Sequence, residues 1–279
     1  MAAADQTAVT NRDYAIGLIR AFAGAIIFAI PLLMTMEMWA LGFTMDPVRL
    51  LLFMLLNFAV LLGLTHFAGF EATHGLRDAL CDALAAYAVG VIASAGALAL
   101  IGIVAPGMPW GEIAGKIAVQ AIPASIGAVV ARRQLSADSD DEEQAEKQRR
   151  AGYLGQLFLM AAGALFLAFN VAPTEEMILI AFKMTPWHGL ATIIVSVLVL
   201  HAFVYVAGFS GQEEIGEAGH RATFLTFSIA GYGVALLVSL YVLWTFGRTD
   251  GVSIGEVATM VAVLGLPASL GAAIARLIV

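Results

Sequence analysis

The residues whose types and spacing suit chemistry are four glutamates, two prolines with neighbouring serines, and two histidines. Glu112 and Glu256 open two closely similar segments, GEIAGKIAVQAIPASIGAVVAR at 111–132 and GEVATMVAVLGLPASLGAAIAR at 255–276, set 144 residues apart. Glu37 and Glu176 stand 139 residues apart, in LLMTMEMW and VAPTEEMILIAF, flanks apolar enough to carry a carboxylate to membrane depth. Ionisable groups within apolar spans are costly and therefore functional candidates, and a cleft lined by one sign of charge concentrates counter-ions. These four acids are expected to line a cation pathway, with Glu37 and Glu176 at its mouth. The plainer reading of Glu112 and Glu256 is a carboxylate in the first turn of a helix, where the helix dipole favours it.

Pro123 and Pro267 fall inside the duplicated segments. Each removes a backbone hydrogen bond and frees the carbonyl four residues back, at Val119 and Val263. Ser125, Gly127, Ser269 and Gly271 add small and polar groups beside them. Two readings stand: a midplane ion site of carbonyls and hydroxyls, or small residues that let helices approach closely. His66 and His201 suit either a proton relay near neutral pH or structural hydrogen bonding. At a spacing of 139, Leu62 rather than His66 matches His201, so the two histidines sit one turn out of equivalence. No second ligand lies at i, i+3 or i+4 from either, so no metal site is expected, and no cofactor is implied. Glu112, Lys116 and Gln120 follow at four-residue steps on one helical stripe, with Glu before Lys in the favourable order. The second copy carries Met260 and Leu264 instead, so any function of the stripe belongs to one half. At the 139 spacing Asp82 matches Arg221, a pair expected to form a charge clamp or two separately solvated helix ends. The sequence holds no GxSxG, HExxH, phosphate loop or CxxC, and an enzyme is not expected.

What must position these residues is set by composition. Of 279 residues, 61% are hydrophobic and 13% charged, against about 45–50% and about 25% in a soluble domain. Eight apolar runs, at about 15–37, 48–69, 79–104, 112–131, 152–171, 187–209, 221–246 and 256–278, each reach across a hydrocarbon core of about 30 Å. Lipid offers the backbone no partner, so each must be helical. The expected fold is all-α: a polytopic membrane protein of eight transmembrane helices. Asp46-Pro47 and Thr185-Pro186 place an N-cap residue before proline at the first helical position. A formal charge of −7 argues against nucleic acid as a partner. The single Cys81 excludes a disulfide framework. The polar N-terminus lacks a cleavage motif, so the first span is expected to be retained as an anchor. Ten of the 14 Lys and Arg residues fall on the side shared by the termini, which predicts that side to be cytoplasmic. Trp39, Trp110, Trp187 and Trp244 mark the other ends of the spans.

The chain reads as a duplication. It comprises a polar tail at 1–14, a first four-helix repeat at 15–131, a charged cytoplasmic linker at 132–151 and a second four-helix repeat at 152–279. Four spans per half give both halves the same orientation and predict a pseudo-twofold axis along the membrane normal. The change of spacing from 139 to 144 implies five extra residues in the second half, which the tract Gly247–Ser253 can hold. Residues 35–45 and 174–183 are expected to be short interfacial or re-entrant helices, the second with Thr174 as N-cap.

The NVAPTEEM stretch at 170–177, the Ala-Gly-Phe before the third span and the duplicated GE…PAS…GA…AR spans resemble an uncharacterised family of bacterial integral membrane proteins, over nearly the whole chain from about residue 12. The resemblance implies a multi-pass protein of the bacterial inner membrane and supplies no mechanism and no site residue. The residues point to a transporter or channel for a small cation or small solute, proton-coupled in one version, with its site between the two halves. The alternative is a non-transporting membrane scaffold or accessory subunit. Membrane lipids are the certain partners, and homo-oligomerisation is left open.

Overall fold

In a computed structural model, residues 11–68, 76–134, 152–207 and 224–278 are described, with side-chain surroundings given for 15–65, 77–131, 152–204 and 224–275. Among the described residues ten α-helices run in chain order: α1 Asn11–Leu33, α2 Met36–Thr44, α3 Pro47–Ala68, α4 Leu76–Leu100, α5 Trp110–Gln134, α6 Gly152–Val171, α7 Glu175–Lys183, α8 Pro186–Ala207, α9 Ala230–Thr245 and α10 Ile254–Ile278. A π-helical turn, Phe224–Ile229, leads into α9. Among the described residues eight helices are long and apolar enough to cross a membrane: α1, α3, α4, α5, α6, α8, the π-turn with α9, and α10. They are called spans one to eight below. The short helices α2 and α7 lie between spans one and two and between spans five and six.

Local chemistry explains where the chain turns. Thr35 Oγ1 donates to Leu32 O at 2.8 Å, and Thr174 Oγ1 donates to Val171 O at 2.8 Å. Both threonines occupy the N-cap position of a short helix, yet their hydroxyls close the helix behind them and not the one ahead. The expected Thr174 cap is thus positional only. Asp46 behaves as its sequence predicts: Oδ1 accepts from the Val48 and Arg49 amides at 2.9 and 3.0 Å, which satisfies two of the amides a helix start leaves unpaired. Span three ends with the Ile103 amide on Leu98 O, and span seven ends with the Arg248 amide on Leu243 O, both at 2.9 Å. Gly102 and Gly247 hold these turns at φ of 76° and 70°, which a side chain would resist.

The last pair of turns corrects the expected alignment. Leu98 and Leu243 are 145 residues apart, whereas Thr35 and Thr174 are 139 apart. The extra residues of the second half therefore fall before the end of span seven, and Gly247–Ser253 does not hold them. Arg221, the His66 side chain and residues 135–151 of the charged linker lie outside the described residues.

Packing follows the small residues. Span one crosses span four where Gly24 meets Gly127: a Cβ on Gly24 would stand 2.4 Å from Gly127 O, and one on Gly127 2.6 Å from Gly24 O. Span five crosses span eight where Gly163 meets Gly271, with distances of 2.2 and 2.1 Å. Close backbone approach of this kind is how helices associate where lipid removes the hydrophobic drive. Span three completes the first group through Gly90, which lies against the backbone of Ser125. The two groups meet mainly along span two, which packs on spans five and seven. There Phe53 is fully buried against Phe169, Tyr241 and Phe246, with ring centroids 5.2–6.1 Å apart. A twofold relation would set span six on the first group in the same manner. Among the described residues span six packs mainly on spans seven and eight of its own group.

Candidate functional site

The most concentrated buried polarity lies inside the first group of helices, along span four. Lys116 is 7% exposed and Gln120 1% exposed, in a helix otherwise packed with alanine, isoleucine and valine. Lys116 Nζ pairs with Glu112 Oε1 at 2.6 Å, lies 5.6 Å from the centre of the Phe43 ring and reaches Ile103 O at 3.5 Å. Gln120 Nε2 donates to Leu32 O at 3.3 Å. Further along, Asn57 Nδ2 of span two donates to Ser125 Oγ at 2.9 Å, and Ser125 donates to Ile122 O at 2.8 Å. Gln120 Oε1 and Asn57 Oδ1 are buried and accept no hydrogen bond among the described residues. A buried polar atom without a partner costs free energy and calls for an explanation.

Glycine places this strip. A Cβ on Gly115 would stand within 2 Å of Gly42 O, and one on Gly42 2.5 Å from Lys116 Cα. Helix α2 thus lies backbone to backbone on the start of span four and covers the lysine stem. The second group keeps the carboxylate, Glu256, and the ring, Phe182, but has Met260, Leu264, Ala181 and Thr259 in the other places. Its Ser196 donates to Thr192 O at 2.7 Å, and its Ser269 to Leu266 O at 2.8 Å. Both are internal to their own helices.

The remaining sequence candidates are not gathered into one site. Glu37 is partly exposed in the first turn of α2, and Glu176 is exposed in the first turn of α7, positions the helix dipole favours. Glu256 is exposed; its Oε2 accepts from the Ser253 amide at 3.0 Å and from Ser253 Oγ at 2.7 Å, and its own amide donates to Ser253 Oγ at 3.3 Å, which makes a capping box. Pro123 is buried and Pro267 half-buried inside unbroken helices. The hydroxyls of Ser125 and Ser269 point to carbonyls of their own helices, so the symmetric midplane site does not assemble around them. His201 Nδ1 lies 2.9 Å from Ser228 Oγ and packs edge-on against Phe224. Asp82 is half-buried and engaged by its surroundings. Among the described residues no three His, Cys, Asp or Glu side chains gather as metal ligands.

An apolar crevice of about 130 Å³ lies between the two groups, walled by Phe28, Leu64 and Val130 on one side and Phe166, Gly163 and Ala275 on the other. The expected site lies between the two halves, and the residue types that line this crevice cannot solvate an ion.

Sequence reasoning missed one linkage altogether. Arg49, at the start of span two, forms a two-pronged pair with Asp250, Nη1 to Oδ2 at 2.8 Å and Nη2 to Oδ1 at 2.9 Å. Its Nη1 also donates to Trp244 O at 2.9 Å, and the guanidinium lies 4.9 Å from the centre of the Trp244 ring. The planar fork of arginine fits a carboxylate and a ring at once, which lysine does not. The partners are 201 residues apart and no repeat relates them, so no spacing signals the pair. Arg49 holds the Asp250 carboxyl below its ordinary range, chiefly by hydrogen bonding and then by charge. The stabilisation this supplies is complete above the ordinary aspartate pKa, about 3.9, and fades as pH falls from there through the lowered folded value. The expected result is an acid-side drop in Tm that the Asp250→Asn protein lacks, read by thermal unfolding in detergent across pH 3–7. Equal acid sensitivity in both proteins would count against the linkage.

The profile of one protein family, described as "Putative integral membrane protein (DUF2391)", matches residues 17–279. No curated protein and no solved structure matches the chain.

Proposed function

Because the chain belongs to this family of integral membrane proteins, we propose that it moves a small cation across the membrane, and that the path runs through its first group of helices and not between the two groups. The observation that carries this reading is Lys116 and Gln120, buried in span four with Glu112 at one end and Asn57 and Ser125 at the other. Polar side chains at such depth are expensive and serve pathways more often than packing. Lys116 holds Glu112 by charge; a cation arriving at Glu112 competes with that ammonium, and the carbonyl oxygens of Gln120 and Asn57 offer the next acceptors inward. The second group, with Met260 and Leu264, is then a structural partner of a duplicated design. The proposal includes a bacterial inner-membrane location with cytoplasmic termini, following the Lys and Arg asymmetry, and no catalytic activity.

The test is flux into proteoliposomes across a panel of protons, alkali ions and divalent metals. The parent is expected to conduct at least one of them, and Lys116→Met and Gln120→Leu are each expected to lower that flux at least tenfold. A second reading, a scaffold without transport, is favoured by the apolar crevice between the groups. Absence of flux for every ion in the panel selects it.

A further inference from the structure

The first group of helices carries its own cation, and the second shows where the same chemistry would take one from outside. Lys116 presents its ammonium to the Glu112 carboxylate and to the Phe43 ring. The corresponding positions in the second group are Glu256 and Phe182, while Met260 stands where Lys116 does. The carboxylate and the ring persist, but the side chain that supplied the charge between them does not. A cleft of about 250 Å³ opens there, lined by Phe182, Met184, Glu256, Thr259 and Met260 among others. Its origin is steric. In the first group Gly42 and Gly115 let α2 lie backbone to backbone on span four; Ala181 and Thr259 replace them, and α7 packs less extensively on span eight.

We infer that this cleft between α7 and span eight binds a small alkylammonium cation, held by the Glu256 carboxylate and the Phe182 ring as Lys116 is held by Glu112 and Phe43. The volume is several times the roughly 30 Å³ share of one water. Both hydrogen bonds from Ser253 fall on Oε2 of Glu256; among the described residues Oε1 takes none. An aromatic face beside a carboxylate selects an organic cation over a bare metal ion, because the ring quadrupole attracts a weakly hydrated charge. Calcium or magnesium takes six or more oxygen ligands and zinc three or four protein ligands, and no group of three His, Cys, Asp or Glu side chains is present among the described residues. The inference concerns binding and stands or falls apart from transport.

Radiolabelled methylammonium is the probe, added to the full-length protein in nanodiscs. Saturable binding at one site per chain is expected. Glu256→Gln is expected to weaken it at least tenfold. Met260→Lys keeps the carboxylate and its Ser253 contacts but supplies an internal ammonium, and is expected to abolish binding in a protein of unchanged Tm. Phe182→Leu is expected to weaken it about threefold. Glu175→Gln, a loss of the same charge on α7, is expected to leave it unchanged. Sodium at equal concentration is expected not to compete. Absence of saturable binding by the parent, binding that survives Met260→Lys, an equal loss with Glu175→Gln, or displacement by equimolar sodium would each overturn the inference.

Discussion

Replacing Gly271 by valine is expected to leave no recoverable folded protein, and Gly163→Ala to lower stability by about 3 kcal/mol, the upper range for forcing atoms into a packed interior. The cause is the nature of the neighbour. A Cβ on Gly163 would stand 2.2 Å from Gly271 O, a backbone atom that cannot swing aside as a side-chain end can. Relief requires the two helices to separate along their length, with loss of the dispersion contacts that hold helices together in lipid. Gly24→Ala, at the other crossing, should cost a similar amount. Because the crossings share no residue, their costs should add in the double variant, whereas Gly163→Ala with Gly271→Ala should not, since both act on one contact. Gly96 and Gly233 supply the control: a Cβ there meets nothing within 4 Å, so alanine should be neutral or slightly stabilising. Thermal unfolding in detergent measures the alanine variants, single and double. A Gly163→Ala protein as stable as the parent would show that the helices do not cross there.

Lys116→Met is expected to remove flux while leaving stability equal to or above that of the parent, and Glu112→Gln to lower stability by about 3 kcal/mol. The asymmetry follows from where each charge lies. Glu112, with its side chain 26% exposed, sits in the first helical turn, where dipole and water support it once the lysine is gone. Lys116, with its side chain 8% exposed, has no comparable recourse when its carboxylate becomes an amide. The natural second copy shows that the position accepts methionine: Met260 is 2% exposed in the same register. Lys116→Met combined with Glu112→Gln should recover the stability that Glu112→Gln loses. If Lys116→Met unfolded the protein instead, the lysine would be a structural ion-pair partner and its effect on flux would carry no mechanism.

Much of the architecture was legible because lipid imposes simple demands. Eight apolar runs gave eight spans, with boundaries shifted by a few residues; the first run at 15–37 was divided, because Thr35 closes the helix at Leu32 O and starts another. The short helices at 35–45 and 174–183 were found from Pro173, Thr174 and the duplication. The position of the insertion was not, since spans three and seven share little sequence and only the turns at Leu98 and Leu243 reveal their register. The stripe Glu112–Lys116–Gln120 could be read from four-residue spacing. Its burial could not, because that depends on Gly42 and Gly115 bringing α2 down on it. The Arg49–Asp250 pair was illegible for a different reason: local pattern carries no information about a partner 201 residues away.

The burial of Phe53 has a bearing on how the protein is made. The three rings that enclose it, Phe169, Tyr241 and Phe246, belong to spans five and seven and to the turn that follows. When the ribosome has delivered only the first four spans to the insertion machinery, that phenyl ring and the Arg49 guanidinium still await their neighbours. Span two therefore enters the bilayer with its Phe53 side facing lipid, and that side is covered only after more than half of the remaining chain has been synthesised, while Leu51, Leu52 and Leu55 stay exposed. The two groups of helices, alike in sequence, differ in this respect: the earlier one is completed by the later, in the order of translation.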